Sequence, residues 1–136
     1  MAGMEEALTA LLLADAGVSA LVGTRVHWLR LPAQVHGRPY LNLQVVGDVP
    51  GYHMAGPSGL VSTRVQADSW GETALAAKQV DRAVKAALSG WSGTQSGIVF
   101  QGVFALSTRD GLEQAAGRDR RLFRVSTDLE VNWHKE

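Results

Sequence analysis

The sequence predicts an α+β fold: a mostly antiparallel, mixed sheet with helices packed on one face. Three observations predict it. Residues 40–46, 60–68 and 122–132 alternate apolar and polar side chains with the period of half-buried strands. Residues 72–88 repeat apolar side chains at helical spacing. The elements run helix, two strands, loop, strand, helix, two strands.

Each element has a local reason. Residues 7–22 are strongly apolar, but Glu5 and Glu6 stand where a signal peptide carries positive charge, and Asp15 interrupts the run. The stretch is also too short to span a bilayer. It reads as two helical pieces of a soluble, unprocessed chain. Leu8, Leu11 and Leu12 stripe the first; Asp15 caps the second, 16–22, which stops at Gly23. Residues 24–31 form a strand, with Val26 and Trp28 on one face, and 32–39 connect. In 40–46, Leu41, Leu43 and Val45 face one way, Asn42 and Gln44 the other. Residues 47–59 read as a long loop holding Asp48, Pro50, Gly51, Tyr52, His53 and Met54, and closing on the turn sequence Gly56-Pro57-Ser58-Gly59.

From Leu60 the alternation resumes. Val61, Thr63, Val65 and Ala67 share a face opposite Ser62, Arg64, Gln66 and Asp68. Ser69 and Glu72 have capping-box spacing, and Thr73 is a competing N-cap. The helix stripe is Ala76, Val80, Ala83, Val84, Ala87 and Leu88, with Lys78, Asp81, Arg82 and Lys85 on the wet face and Asp81–Lys85 as an i,i+4 pair. Gly90 stops it, and 90–97 is a connection containing Trp91. Residues 98–106 are apolar on both faces, which implies burial on two sides. Residues 109–121, RDGLEQAAGRDRR, read as a charged loop. The last strand, 122–132, turns Phe123, Val125, Thr127, Leu129 and Val131 inward and Arg124, Ser126, Asp128 and Glu130 outward.

The chain of 136 residues is expected to form one domain, 1–136, large enough to need no covalent staple. It has no cysteine, so disulfides and thiolate metal sites are excluded. Lys plus Arg (13) equals Asp plus Glu (13), so no net basic charge points to nucleic acid. Neither repeats nor low-complexity tracts occur.

Catalytic and ligand-binding patterns are missing. His27, His36, His53 and His134 have no zinc-ligand spacing, which leaves only a site assembled from distant residues. Gly56-Pro57-Ser58-Gly59 has the wrong spacing for a nucleophile elbow, and no phosphate-binding glycine loop is present. Asp68, Asp128 and Glu130 fall on strand faces as solvent- or interface-facing charges. Arg118, Arg120, Arg121 and Arg124 form a basic cluster capable of touching phosphate, yet Asp110, Glu113, Asp119 and Asp128 lie among them; mixed signs suit a salt-bridged loop or a protein interface better. Trp28, Trp70, Trp91 and Trp133 are each core or interface anchors.

Four segments, taken in order, resemble one family. They are the N-terminal LLLADAGVSALVGTRVHWLRLP, Arg38-Pro39-Tyr40 entering a strand, GPSGLVSTRVQADSW followed by the alanine-rich helix, and the terminal RLFRVSTDLEVNW. Together they resemble the tail completion, or tail terminator, family of long-tailed phages and phage-derived gene transfer agents. The resemblance implies a ring-forming subunit, typically in a hexamer, at the head–tail junction of the particle, after assembly in the host cytoplasm. Such a ring caps the tail tube protein, ends tube growth, and presents a surface to the head connector or stopper protein. DNA is only transiting cargo, and no membrane is involved. The family implies no enzyme activity, no cofactor and no metal. The two loops are the most individual parts, so the expected assembly residues are Tyr52, His53, Met54, Arg109, Asp110, Glu113, Arg118, Asp119, Arg120 and Arg121. Two other readings stay open: a neighbouring connector such as a stopper, and a small α+β ligand-binding domain, whose signature is a convergent polar pocket.

Overall fold

Two short helices open the chain in the computed structural model, which describes residues 3–29, 37–114 and 121–136. They are α1 (Met4–Ala14) and α2 (Ala16–Val22). The N–H of Gly3, the N-cap of α1, donates to Glu6 Oε2 at 2.8 Å. Asp15 caps α2 as its position predicts, its Oδ2 accepting from the Val18 N–H at 3.0 Å. There follow β1 (Val26–Trp28), β2 (Tyr40–His53), β3 (Gly56–Gly71), α3 (Ala74–Leu88), β4 (Gly93–Gln95), β5 (Ile98–Gln114) and β6 (Arg121–Lys135).

The strands make one six-stranded sheet, ordered β1-β2-β3-β6-β5-β4. Every neighbouring pair is antiparallel except β1–β2, which is parallel. The α+β class with a mostly antiparallel mixed sheet is thus as expected. Leu41, Leu43, Val65, Ala67, Leu129 and Val131 share a face. They pack in one cluster with Met4, Leu8 and Leu12 of α1, Val18 and Val22 of α2, and Val80, Val84 and Leu88 of α3. Trp28, Trp91 and Trp133 pack half-buried at its margin.

Three local expectations need correction. The start of α3 is Thr73, whose Oγ1 accepts from the Ala76 N–H at 3.0 Å; the Ser69–Glu72 capping box does not form, because β3 runs on to Gly71. The buried stripe of α3 is Ala77, Val80, Asp81, Val84 and Leu88, rotated from the predicted one so that Asp81 faces the sheet. And Asp68 is buried, not solvent-facing: Ser126 Oγ donates to its Oδ1 at 2.6 Å.

Gly71 fixes the strand-to-helix corner by its size. A Cβ there would lie 2.8 Å from the Ala77 nitrogen and 2.9 Å from Ala76 Cβ. Gly71→Ala must push the first turn of α3 off the sheet, an overpacking strain of about 1–3 kcal/mol. A thermal melt checks this; an unchanged midpoint would show that the corner has slack.

Candidate assembly surfaces

The two segments read as loops are strand over most of their described residues; of the second, 115–120 lie outside those described. Gly47, Pro50, Gly51, Gly56, Pro57 and Gly59 supply turn chemistry, yet residues 47–53 and 56–59 continue β2 and β3 as a hairpin with Met54 and Ala55 at its turn. The pairing absorbs the irregular residues as register shifts between Val45 and Gly47 and between Pro50 and Tyr52. Likewise β5 continues through Arg109 to Gln114, paired with β6 from its first residue: Arg109 faces Ser126 and Gln114 faces Arg121.

The hairpins point opposite ways. The β3–β6 register runs from Val61–Trp133 at one end to Gly71–Phe123 at the other. The β2–β3 tip therefore projects beyond the C-terminal end of β6, while the β5–β6 pairing reaches Gln114 and Arg121 at the opposite end of the sheet. Tyr52 and Met54 stand on the first arm, Tyr52 70% exposed and Met54 wholly so; the backbone of His53 pairs with Gly56. Arg109, Asp110 and Glu113 lie on β5 and Arg121 begins β6, at the other end. The side chains of His53, Glu113 and Arg121 lie outside what the structure describes, as do Arg118, Asp119 and Arg120 altogether. The predicted residues thus divide between two distant surfaces.

The first arm is tied at its base and apolar beyond it. Trp133 Nε1 donates to Thr63 Oγ1 at 2.9 Å, and Thr63 Oγ1 donates to Asp48 Oδ1 at 2.6 Å, joining three strands. Beyond this clamp Val49 is 69% exposed and Leu60 partly so. Sequence reasoning missed Val49 because a stretch read as loop has no faces, and it passed over Val46 and Leu60 because they stand at the ends of the predicted strands. At the other end charge dominates. Arg109 Nη1 lies 3.3 Å from Asp128 Oδ2, and Lys78 Nζ lies 3.8 Å from Asp110 Oδ2.

The strand 98–106 also differs from its reading. Ile98, Phe100 and Val103 are buried, but Phe104 and Leu106 remain 46% and 45% exposed. Their apolar character was visible in the sequence; Phe104 is exposed because it pairs with Glu130 on the face away from the helices, and Leu106 lies at a register shift.

Cavities offer little chemistry. Open grooves of about 600, 430 and 370 Å³ lie beside Trp28 and Val45, beside Val49 and Arg64, and between α3 and Phe123. Among the described residues no three of His, Asp and Glu come together as metal ligands, and no helix is long and apolar enough to cross a membrane. His27 packs edge-on against Tyr40, ring centroids 6.1 Å apart. His134 is half-buried on β6, and His36 lies outside the described residues.

The described residues thus form a helix-backed, mostly antiparallel sheet whose long strand pairs extend at both ends. The comparisons give its family. The model of the tail completion protein gp17 family matches residues 6–131, and the chain belongs to that family. A chain from the virion of a native gene transfer agent (GTA) particle has the same fold: TM-score 0.72 at 22% identity, covering 96% of this chain and 94% of that one. Another solved chain aligns at TM-score 0.46 and 17% identity, over 98% of this chain and 100% of its own. No curated protein sequence matches significantly. The protein is a structural component of a phage-type tail and is not an enzyme.

Proposed function

We propose that this protein forms a ring, a hexamer as the resemblance implies, that caps the tail tube at the head–tail junction. The ring ends tube polymerisation, joins the tail to the head connector, and leaves a hole for DNA. The observation that carries this reading is the opposed pair of arms. A ring seated between two partners needs a different surface on each side, and here one end of the sheet offers exposed Tyr52 and Met54 while the other offers Lys78–Asp110 and Arg109–Asp128. Aromatic residues and methionine are enriched at interface cores, and charged pairs set orientation. The net charge of zero suits a channel through which DNA slides.

The test is complementation of particles lacking this gene. Tyr52→Asp with Met54→Asp places two charges where no side chain is buried, so the subunit should melt unchanged. Complete particles should fall on the order of tenfold or more, because buried anchors at an interface centre are each worth ~2 kcal/mol or more. Electron microscopy should show free heads and tails of uncontrolled length. Normal particles with the double variant would remove the arm from the assembly role.

A further inference from the structure

We infer that copies of this chain join edge to edge, the open edge of β5 in one copy pairing antiparallel with the open edge of β2 in the next. The inference rests on the ring reading above and specifies how that ring closes.

Both outer strands of the long sheet are only partly covered. β1 pairs with Leu41, Asn42 and Leu43 of β2, and the Leu29 N–H closes this cover on the Leu43 carbonyl at 3.0 Å. β4 pairs with Ile98, Val99 and Phe100 of β5. The cover ends where Gly90 N–H donates to the Val103 carbonyl at 2.7 Å and Val103 N–H donates to Trp91 O at 3.0 Å. Beyond these points, among the described residues, no strand flanks 44–53 of β2 or 104–114 of β5. A strand edge left open carries a row of backbone donors and acceptors, and monomeric proteins blunt it with lysine, proline or inward charge. Here β5 begins its open stretch with Phe104, Ala105 and Leu106, all exposed. β2 carries exposed Val46 and Val49, and Pro50 leaves one gap in its row of donors. Val46 and Leu106 are each skipped at one of the two register shifts on their edge strand. A bulge re-aims a side chain, and both of these aim an apolar one at water.

Direction and stagger fit. β2, β3, β6 and β5 alternate in direction, so β2 and β5 of one copy are antiparallel. A rotated copy set beside the first continues the same alternation, using two different patches, as a closing head-to-tail ring requires. The rung through Val49 crosses Ser62 and Asn132 and reaches β5 at Gly102. The middle of the open β5 edge is Arg109, about six rungs further along, or ~20 Å at ~3.4 Å per residue. Four strands at ~4.8 Å spacing are ~19 Å wide. Bringing the two open edges opposite each other therefore requires a strand tilt of roughly 45°, near the 35–45° at which sheets close on themselves.

The chain has no cysteine, so introduced pairs report without background. Val49→Cys is combined with Ser107→Cys, Thr108→Cys, Arg109→Cys or Asp110→Cys in the full chain, and with Ala86→Cys on the exposed side of α3 as control. Mild oxidation should give a ladder of covalent multimers ending at ring size for one or two adjacent positions, and none for the control. Separately, the Ala105 N–H points as that of Val103 does, away from β6, so Ala105→Pro removes an outward donor and should yield a folded monomer by light scattering. A ring that cross-links at none of these positions, or that persists with Ala105→Pro, overturns the edge pairing while leaving the ring reading intact. An unmodified chain that is monomeric at every concentration overturns both.

Discussion

Trp70→Ala is expected to destabilise the protein by about 3–5 kcal/mol, the range for truncating a buried aromatic. Trp70 is 4% exposed and lies on the sheet face opposite the helices, in a cluster with Tyr40 and Leu122 that is separate from the main core. Its ring stacks on Tyr40 with centroids 6.0 Å apart and planes 12° from parallel. The Arg124 guanidinium lies 5.5 Å from its centroid on the other side. These are cross-strand neighbours on one rung: Tyr40 faces Trp70 and Trp70 faces Arg124. Truncation removes the stacking partner of Tyr40 and the surface under Arg124 together, each worth about 0.5–1.5 kcal/mol beyond burial. Trp70→Phe keeps an aromatic face and should cost well under half as much. Urea titration of the two variants decides the matter; a loss below about 1 kcal/mol for Trp70→Ala would show that this second cluster is peripheral.

The cluster also shows where sequence reasoning reaches its limit. Alternation placed Val65, Ala67, Leu129 and Val131 on the inner face correctly, because one face of a half-buried strand must be apolar. The same rule assigned Asp68 and Ser126 to solvent. It had no means to know that Asp68 would be buried with Ser126 and Gln66 hydrogen-bonded to it, on the face that also carries the Tyr40, Trp70 and Leu122 cluster. The hairpin arms were illegible for a different reason. Gly47, Pro50, Gly51 and Gly59 have poor strand propensity, and it is the pairing with the partner strand, including its bulges, that makes them extended. Candidate residues such as Tyr52 and Arg109 were found through bulk and charge, without the knowledge that they occupy opposite ends of the sheet. Phe104 and Leu106 were read as doubly buried, and their exposure in the single chain is what directs attention to the β5 edge. The family was legible because the order of several short motifs survives where no single motif is specific.

Asp81→Ala is expected to cost about 2–3 kcal/mol although aspartate ranks poorly in helix interiors. Asp81 is 4% exposed. Thr127 Oγ1 donates to its Oδ1 at 2.5 Å, Lys85 Nζ lies 2.8 Å from its Oδ2, and the Thr108 and Thr127 hydroxyls are 3.1 Å apart. This chain of contacts pins α3 to β6 and β5. Lys85 is 31% exposed, so solvent screens the ion pair, and most of the loss comes from the buried hydroxyl left without its charged acceptor. Thr127→Val should cost about 1–3 kcal/mol by the converse route, stranding the carboxylate. Combining Asp81→Ala with Thr127→Val leaves neither group unpaired, so the double variant should lose at least about 1 kcal/mol less than the sum of the singles. Strict additivity in urea titrations of the four proteins would mean that the helix is held by apolar contact alone, through Ala77, Val80, Val84 and Leu88, and that the buried carboxylate only tolerates its position.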